Sequence, residues 1–313
     1  MRLVFCGTPQ FAVPTLKHLL SQKEFQVIAV ITQPDRPRGR GQQVSPSPVK
    51  EAALAAGIPV RQPEKIRSPE AQELLQRLAP DAVTIIAYGQ IIPARLLSIP
   101  KYGWINLHAS LLPKYRGAAP VNWAIANGET KTGLTTMRID PGMDTGDMLL
   151  QKEIDIGASE TAPELLTRMG EAGAPLMAET LRGLAAGKLT PQPQNNNEAT
   201  SAPLLKKEDG RIDWNLPAHQ IYNRMRGFDP WPGAYTSFRK QTCHIWAEPF
   251  STRTLTGRAP GTLLPENGQI LIACGNATLL RLVSVKVQGR KQVSAVEFAN
   301  GARLTEGELL NNS

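Results

Sequence analysis

Cysteine is scarce in this chain and scattered: Cys6, Cys243 and Cys274 are the three among 313 residues. No Cys-x-x-Cys pair or histidine cluster accompanies them, so neither a disulfide framework nor a zinc knuckle is expected. Cys6 ends the apolar run Leu3-Val-Phe-Cys6 and reads as a small core residue rather than a nucleophile. No uninterrupted apolar span of membrane length and no secretory leader precedes that run. The full Gly-x-Gly-x-x-Gly fingerprint is missing too, since the run closes on Gly7-Thr-Pro9, and a nicotinamide or flavin is not inferred. A reduced, cytoplasmic, monomeric protein without metal is the expectation.

Basic residues, by contrast, are in excess: Lys+Arg 35 against Asp+Glu 27, a formal charge of +8. A polyanion such as nucleic acid is favoured over a membrane surface, because no basic amphipathic helix stands out. The length suits two lobes. In the first, apolar runs at Val27–Ile31, Ala82–Ala87 and Trp104–Leu107 alternate with helical segments, predicting a mostly parallel, helix-flanked, Rossmann-like α/β sheet. Thr132–Arg138 and Asp147–Ile156 read as further strands, and Glu160–Leu184 as a long helix. Thr190–Pro203 is polar and proline-punctuated. The expected organisation is therefore a catalytic domain at 1–189, a linker at 190–205 and a second domain at 206–313. That domain has β-compatible runs at 234–238, 244–247, 269–273, 278–287 and 294–298, pointing to a small OB-like β-barrel. Five of the eight excess positive charges fall within 206–313, which suits a phosphate backbone and equally a solvated barrel surface.

The chemistry concentrates in Trp104-Ile-Asn-Leu-His108 and Asp140-Pro-Gly-Met-Asp-Thr-Gly146. Alternation on a strand puts Asn106 and His108 on one side, and Asp144 offers a carboxylate on a turn. When an amine attacks a carbonyl, negative charge grows on oxygen, the attacking nitrogen sheds a proton and the leaving nitrogen gains one. An amide N–H can stabilise the oxyanion, an imidazole can move the proton, and a carboxylate can hold the imidazole. Taken singly, Asn-x-His is also how a strand edge satisfies itself, and an Asp between two glycines is also a turn former. The loop Ser110–Gly117 that follows is too particular for turn chemistry alone.

The segment His108-Ala-Ser-Leu-Leu-Pro-Lys-Tyr-Arg-Gly117, with the Asp140–Gly146 turn, resembles the signature of the folate-dependent formyltransferases. That resemblance implies formyl transfer from 10-formyltetrahydrofolate to an amine by direct attack through a tetrahedral intermediate. It implies Asn106, His108 and Asp144 as the catalytic trio, and Ser110, Leu111, Leu112 and Pro113 as the folate-contacting stretch. The family acts on glycinamide ribonucleotide, amino sugars and methionyl-tRNA, so other segments must choose the acceptor. Thr32-Gln-Pro-Asp-Arg-Pro-Arg-Gly-Arg-Gly41, running on to Lys50, is similar to the inserted loop of the members that act on initiator methionyl-tRNA. Arg36, Arg38, Arg40 and Lys50 are then expected at RNA, with Lys206 and Lys207 beside the linker. Arg211–Trp214 and Asn223–Ala234 resemble the second domain of the same members; Arg224 and Arg226 could face phosphate there, while Trp214, Phe228 and Trp231 suit packing. Three rivals differ: a small-amine formyltransferase, a noncatalytic RNA-binding protein and a folate hydrolase. None of them calls for both the trio and the arginine arm.

Overall fold

The computed structural model describes residues 1–38, 43–250 and 257–311. Two compact units emerge, each assembled from separated stretches of chain. The first comprises Met1–Pro120, Lys131–Asp155 and Glu164–Pro203, the second Val121–Thr130, Ile156–Pro163 and Leu204–Ser313.

The first unit carries strands β1 (Arg2–Gly7), β2 (Gln26–Ile31), β3 (Arg36–Arg38), β4 (Gln43–Ser45), β5 (Val60–Arg61), β6 (Ala82–Ile86), β7 (Trp104–His108), β8 (Lys131–Arg138) and β9 (Met148–Asp155). Its helices are α1 (Val13–Ser21), α2 (Pro48–Ala55), α3 (Pro69–Leu78), α4 (Ala94–Leu97) and most of α6 (Ala162–Ala185); α5 (Pro120–Ala126) lies almost wholly in the second unit. Seven strands form one sheet in the order β5-β2-β1-β6-β7-β8-β9. The first five pair in parallel and β8 and β9 antiparallel, so the Rossmann-like expectation holds with an antiparallel edge added. Strands covered on both faces are mostly apolar, and Leu3 to Cys6, Ala82 to Ile86 and Trp104 to His108 are all buried, with Thr84, Asn106 and His108 the polar members. Helices α2 and α3 start on one device: Ser47 accepts from Lys50 N and Ser68 from Ala71 N, each with proline in the first turn. From β1 the chain steps outward one way to β2 and β5, then returns to β6 on the other side. In open α/β sheets ligands bind beyond the carboxyl ends of the strands at such a reversal, here β1 and β6.

Thr190–Pro203, expected as linker, is folded onto the first unit. Gln192 exchanges two backbone hydrogen bonds with Met148, and Arg116 pairs with Thr200 and Ala202.

In the second unit, α7 (Ala218–Gly227), β10 (Tyr235–Phe238), β11 (Gln241–Phe250), β12 (Leu263–Glu266), β13 (Gln269–Cys274), β14 (Thr278–Val287), β15 (Val293–Ser294), α8 (Ala295–Ala302) and β16 (Leu310–Asn311) follow α5. An antiparallel path runs β12-β13-β14-β11-β10-β16. It curls round on itself: Leu263 N donates to Glu308 O and Leu310 N to Gly261 O, bridging the two outer strands. Trp214, Ile245, Leu263, Ile272, Leu280 and Phe298 fill the interior. One strand expectation fails here, because Ser294–Phe298 begins helix α8 instead. Ser294 accepts from Glu297 N while Glu297 accepts from Ser294 N, a capping box that outweighs the β propensity of Val296 and Phe298.

Candidate active site

Asn106 and His108 sit at the carboxyl end of β7, two residues apart and therefore on one side of the sheet. Both are buried. His108 Nε2 lies 2.9 Å from Tyr115 O; a carbonyl only accepts, so Nε2 carries the hydrogen. Nδ1 then faces Asp144 Oδ2 at 3.6 Å. Among the described residues the Asn106 amide, only 9 % exposed, has no hydrogen-bond partner. Such an amide is free to donate to an incoming acceptor.

Asp144 reaches His108 because its turn is tightly specified. Its backbone is left-handed at φ 54°, and Asp140 Oδ1 accepts from Gly142 N at 3.0 Å and Thr145 Oγ1 at 2.8 Å. Any Cβ on Gly146 would lie 1.9 Å from Arg138 O, so only glycine fits. Asp144 Oδ2 also accepts from Gly117 N at 2.9 Å, tying the turn to the loop after β7. Imidazole and carboxylate are thus brought together, with the Asn106 amide two residues before His108 on the same strand.

The four residues of the expected folate stretch divide. Ser110 is buried and its Oγ donates to Lys114 O at 2.6 Å, so the hydroxyl folds the loop. Leu112 is buried, with its N–H on Thr135 Oγ1 and its carbonyl accepting from Gln151 Nε2. Leu111 and Pro113 keep partly exposed surfaces.

The arm residues divide as well. Arg36 is exposed and 3.4 Å from Glu64, an ion pair with little hold in solvent. Arg38 lies on the β3–β4 hairpin, and Arg40 falls outside the described residues. Lys50 is engaged internally: its ammonium pairs with Asp35 and donates to Gln62 Oε1 at 2.8 Å. Lys206 and Lys207 are exposed on the second unit. There Arg226 is buried, donating to Gly157 O and Glu160 O, and Arg224 donates to Asp209 O and stacks on Phe228. Arg226 is thus committed inside the second unit, while Arg224 keeps a partly exposed surface. Trp214 and Phe228 are core residues, whereas Trp231 is 54 % exposed. Absent from the sequence reading are Thr135, Gln151 and Gln194, polar side chains whose partners lie far along the chain.

Two family models match, described as formyl transferase over residues 1–181 and formyl transferase, C-terminal domain, over 204–303. A methionyl-tRNA formyltransferase of Solibacter usitatus is 54 % identical over 99 % of this chain and 98 % of its own. One from Geobacter sulfurreducens is 48 % identical over 100 % and 98 %. Among solved structures, an N-formyltransferase from Helicobacter canadensis in complex with folinic acid and dTDP-3-aminofucose has TM-score 0.64 at 19 % identity, covering 90 % of this chain and 98 % of its own. HypX from Aquifex aeolicus in complex with tetrahydrofolic acid has TM-score 0.61 at 15 % identity over 99 % of this chain and half of its own. The solved structures share the fold, while the sequence relatives match from end to end at about half of all positions: the chain belongs to the methionyl-tRNA formyltransferase family.

Proposed function

We propose that this chain moves the formyl group of 10-formyltetrahydrofolate to the α-amino group of initiator methionyl-tRNA, acting in the cytoplasm as a monomer. Residues 1–189 carry the chemistry and 206–313 help to hold the RNA, with the exposed Arg36, Lys206 and Lys207 and the arm residues Arg38 and Arg40 as its contacts. The observation that carries this reading is the convergence of an unpartnered amide, an imidazole and a carboxylate at the carboxyl edge of β7.

An α-amino group has a pKa of about 7.7 to 8.0, so an appreciable fraction is already neutral near pH 7 and no strong base is required. The amine nitrogen attacks the formyl carbon and the carbonyl electrons move to oxygen. The Asn106 amide, whose hydrogens are not committed elsewhere, donates to that oxyanion. His108 Nδ1, bearing the ring's lone pair, receives the amine proton directly or through one water, and the Asp144 carboxylate stabilises the charge gained. Collapse breaks the bond from carbon to the folate nitrogen, which takes the proton. The partly exposed faces of Leu111 and Pro113 provide apolar contact for the folate. Three free and buried thiols suit a reducing compartment.

Charged initiator and elongator methionyl-tRNAs, each offered with 10-formyltetrahydrofolate, test the proposal. Faster transfer to the initiator is expected. Transfer to neither, or transfer to a nucleotide-linked amino sugar without RNA, overturns it.

A further inference from the structure

Gln194 lies in the proline-punctuated stretch that reads as a connector, yet its side chain grips the carboxylate turn. Nε2 donates to Asp144 O and to Gly146 O, both at 2.8 Å. Oε1 accepts from Arg116 Nε at 2.9 Å, and two carbonyls on one end with a guanidinium on the other leave only one orientation for the amide. Six residues on, the same stretch holds the other side of the site. Thr200 Oγ1 accepts from Tyr115 N at 2.8 Å and Thr200 O from Arg116 N at 2.8 Å. Tyr115 is the residue whose carbonyl receives His108 Nε2, and Asp144 is the one that faces Nδ1. The segment 194–200 therefore fastens both groups that flank the imidazole, one on each side of the ring.

We propose that Gln194 and Thr200 are positioning residues for this reaction, acting through Asp144 and Tyr115 to fix the tilt of His108. The inference rests on the reading in which His108 and Asp144 take part in formyl transfer. Neither residue need touch a substrate. Loss of either should lower kcat and spare both KM values.

The test compares Gln194→Met, Gln194→Glu, Thr200→Val and Thr200→Ser in the full chain, by steady-state formylation of methionyl-tRNA across pH. Gln194→Met, which loses both donations, should lower kcat about tenfold or more, with both KM values within about threefold and the pH profile of kcat displaced. Gln194→Glu keeps the Arg116 contact but cannot donate, and should behave like the Met variant. Thr200→Val should lose several-fold where Thr200→Ser, which retains the acceptor, stays near wild type. In the Gln194→Met/Asp144→Asn double variant the two losses should not add. Full additivity, an unshifted pH profile, or Thr200→Val equal to Thr200→Ser overturns the proposal. Should Gln194→Met fail to fold, the Thr200 pair decides. If His108→Ala and Asp144→Asn both turn over like wild type, it is the underlying reading that has failed.

Discussion

Replacing Asp144 by asparagine isolates its charge from its shape. The Asn oxygen can take the place of Oδ2 and keep the hydrogen bond from Gly117 N, so the turn should survive. What disappears is a negative charge 3.6 Å from His108 Nδ1, at a pair whose side chains are 7 % and 18 % exposed. At an effective dielectric of about 20, two full unit charges at that separation attract by about 4 to 5 kcal/mol. If roughly half a proton has moved in the transition state, about 2 kcal/mol is at stake. At about 1.4 kcal/mol per tenfold, kcat should fall by about 30-fold. KM for methionyl-tRNA should stay within about threefold, since the charge acts on the ring rather than on bound RNA. The assay is single-turnover transfer from 10-formyltetrahydrofolate with saturating enzyme, alongside thermal unfolding. A folded Asp144→Asn variant within about threefold of wild-type turnover would refute the electrostatic argument.

Three further outcomes follow from the geometry. Because Lys50 is committed to Asp35 and Gln62, Lys50→Met should leave the salt slope of tRNA binding unchanged, where a phosphate contact would cost about 0.7 to 0.9 of slope; Asp35→Asn should weaken tRNA use, and improved binding would restore Lys50 to the RNA interface. Gly146→Ala drives a methyl onto Arg138 O and should destabilise the first unit by about 1 to 3 kcal/mol with loss of turnover, an unchanged denaturation midpoint being the contrary result. The Arg239 guanidinium and, after it, the Thr305 backbone hold the Glu308 carboxyl down at about 2 from an ordinary 4.5. A depressed acid stabilises the fold above its unfolded value, so the advantage of wild type over Glu308→Gln in denaturant unfolding should be full above about pH 4.5 and fade as pH falls toward 2.

What the sequence discloses depends on how local the determining contacts are. Asn106 and His108 are legible because strand alternation alone puts them on one side, and Asp144 because glycines at 142 and 146 frame it. Strand β14 stands out in Thr278–Val287 as a run of β-formers closed by turns. Ser294–Phe298 misleads because β-branched and aromatic residues sit on a helix start whose signal is the Ser294 and Glu297 pair. The internal partners of Lys50 are not legible, because they depend on β2 and β5 pairing side by side, which brings Gln62 beside the stretch that follows β2. Gln194 is the extreme case. Its partners lie 50 and 48 residues back along the chain, and its neighbours are the prolines and amides of a surface connector, so nothing nearby announces its task.

The patchwork origin of the second unit bears on how it is made. Asn122 donates to Gly227 O across 105 residues, and Trp123 meets Phe228 edge to face at 5.2 Å. During synthesis, therefore, the early piece leaves the ribosome well before its partners exist, and waits while Lys131–Asp155 and Glu164–Pro203 of the first unit are built. A fragment cut at the apparent boundary near residue 204 would lack both early pieces, 121–130 and 156–163: the Arg226 guanidinium would lose both carbonyls it now serves, and Phe228 the edge-to-face contact with Trp123. The second unit therefore cannot complete its packing until residues made long after 121–130 have been added, so its completion waits on nearly the whole chain.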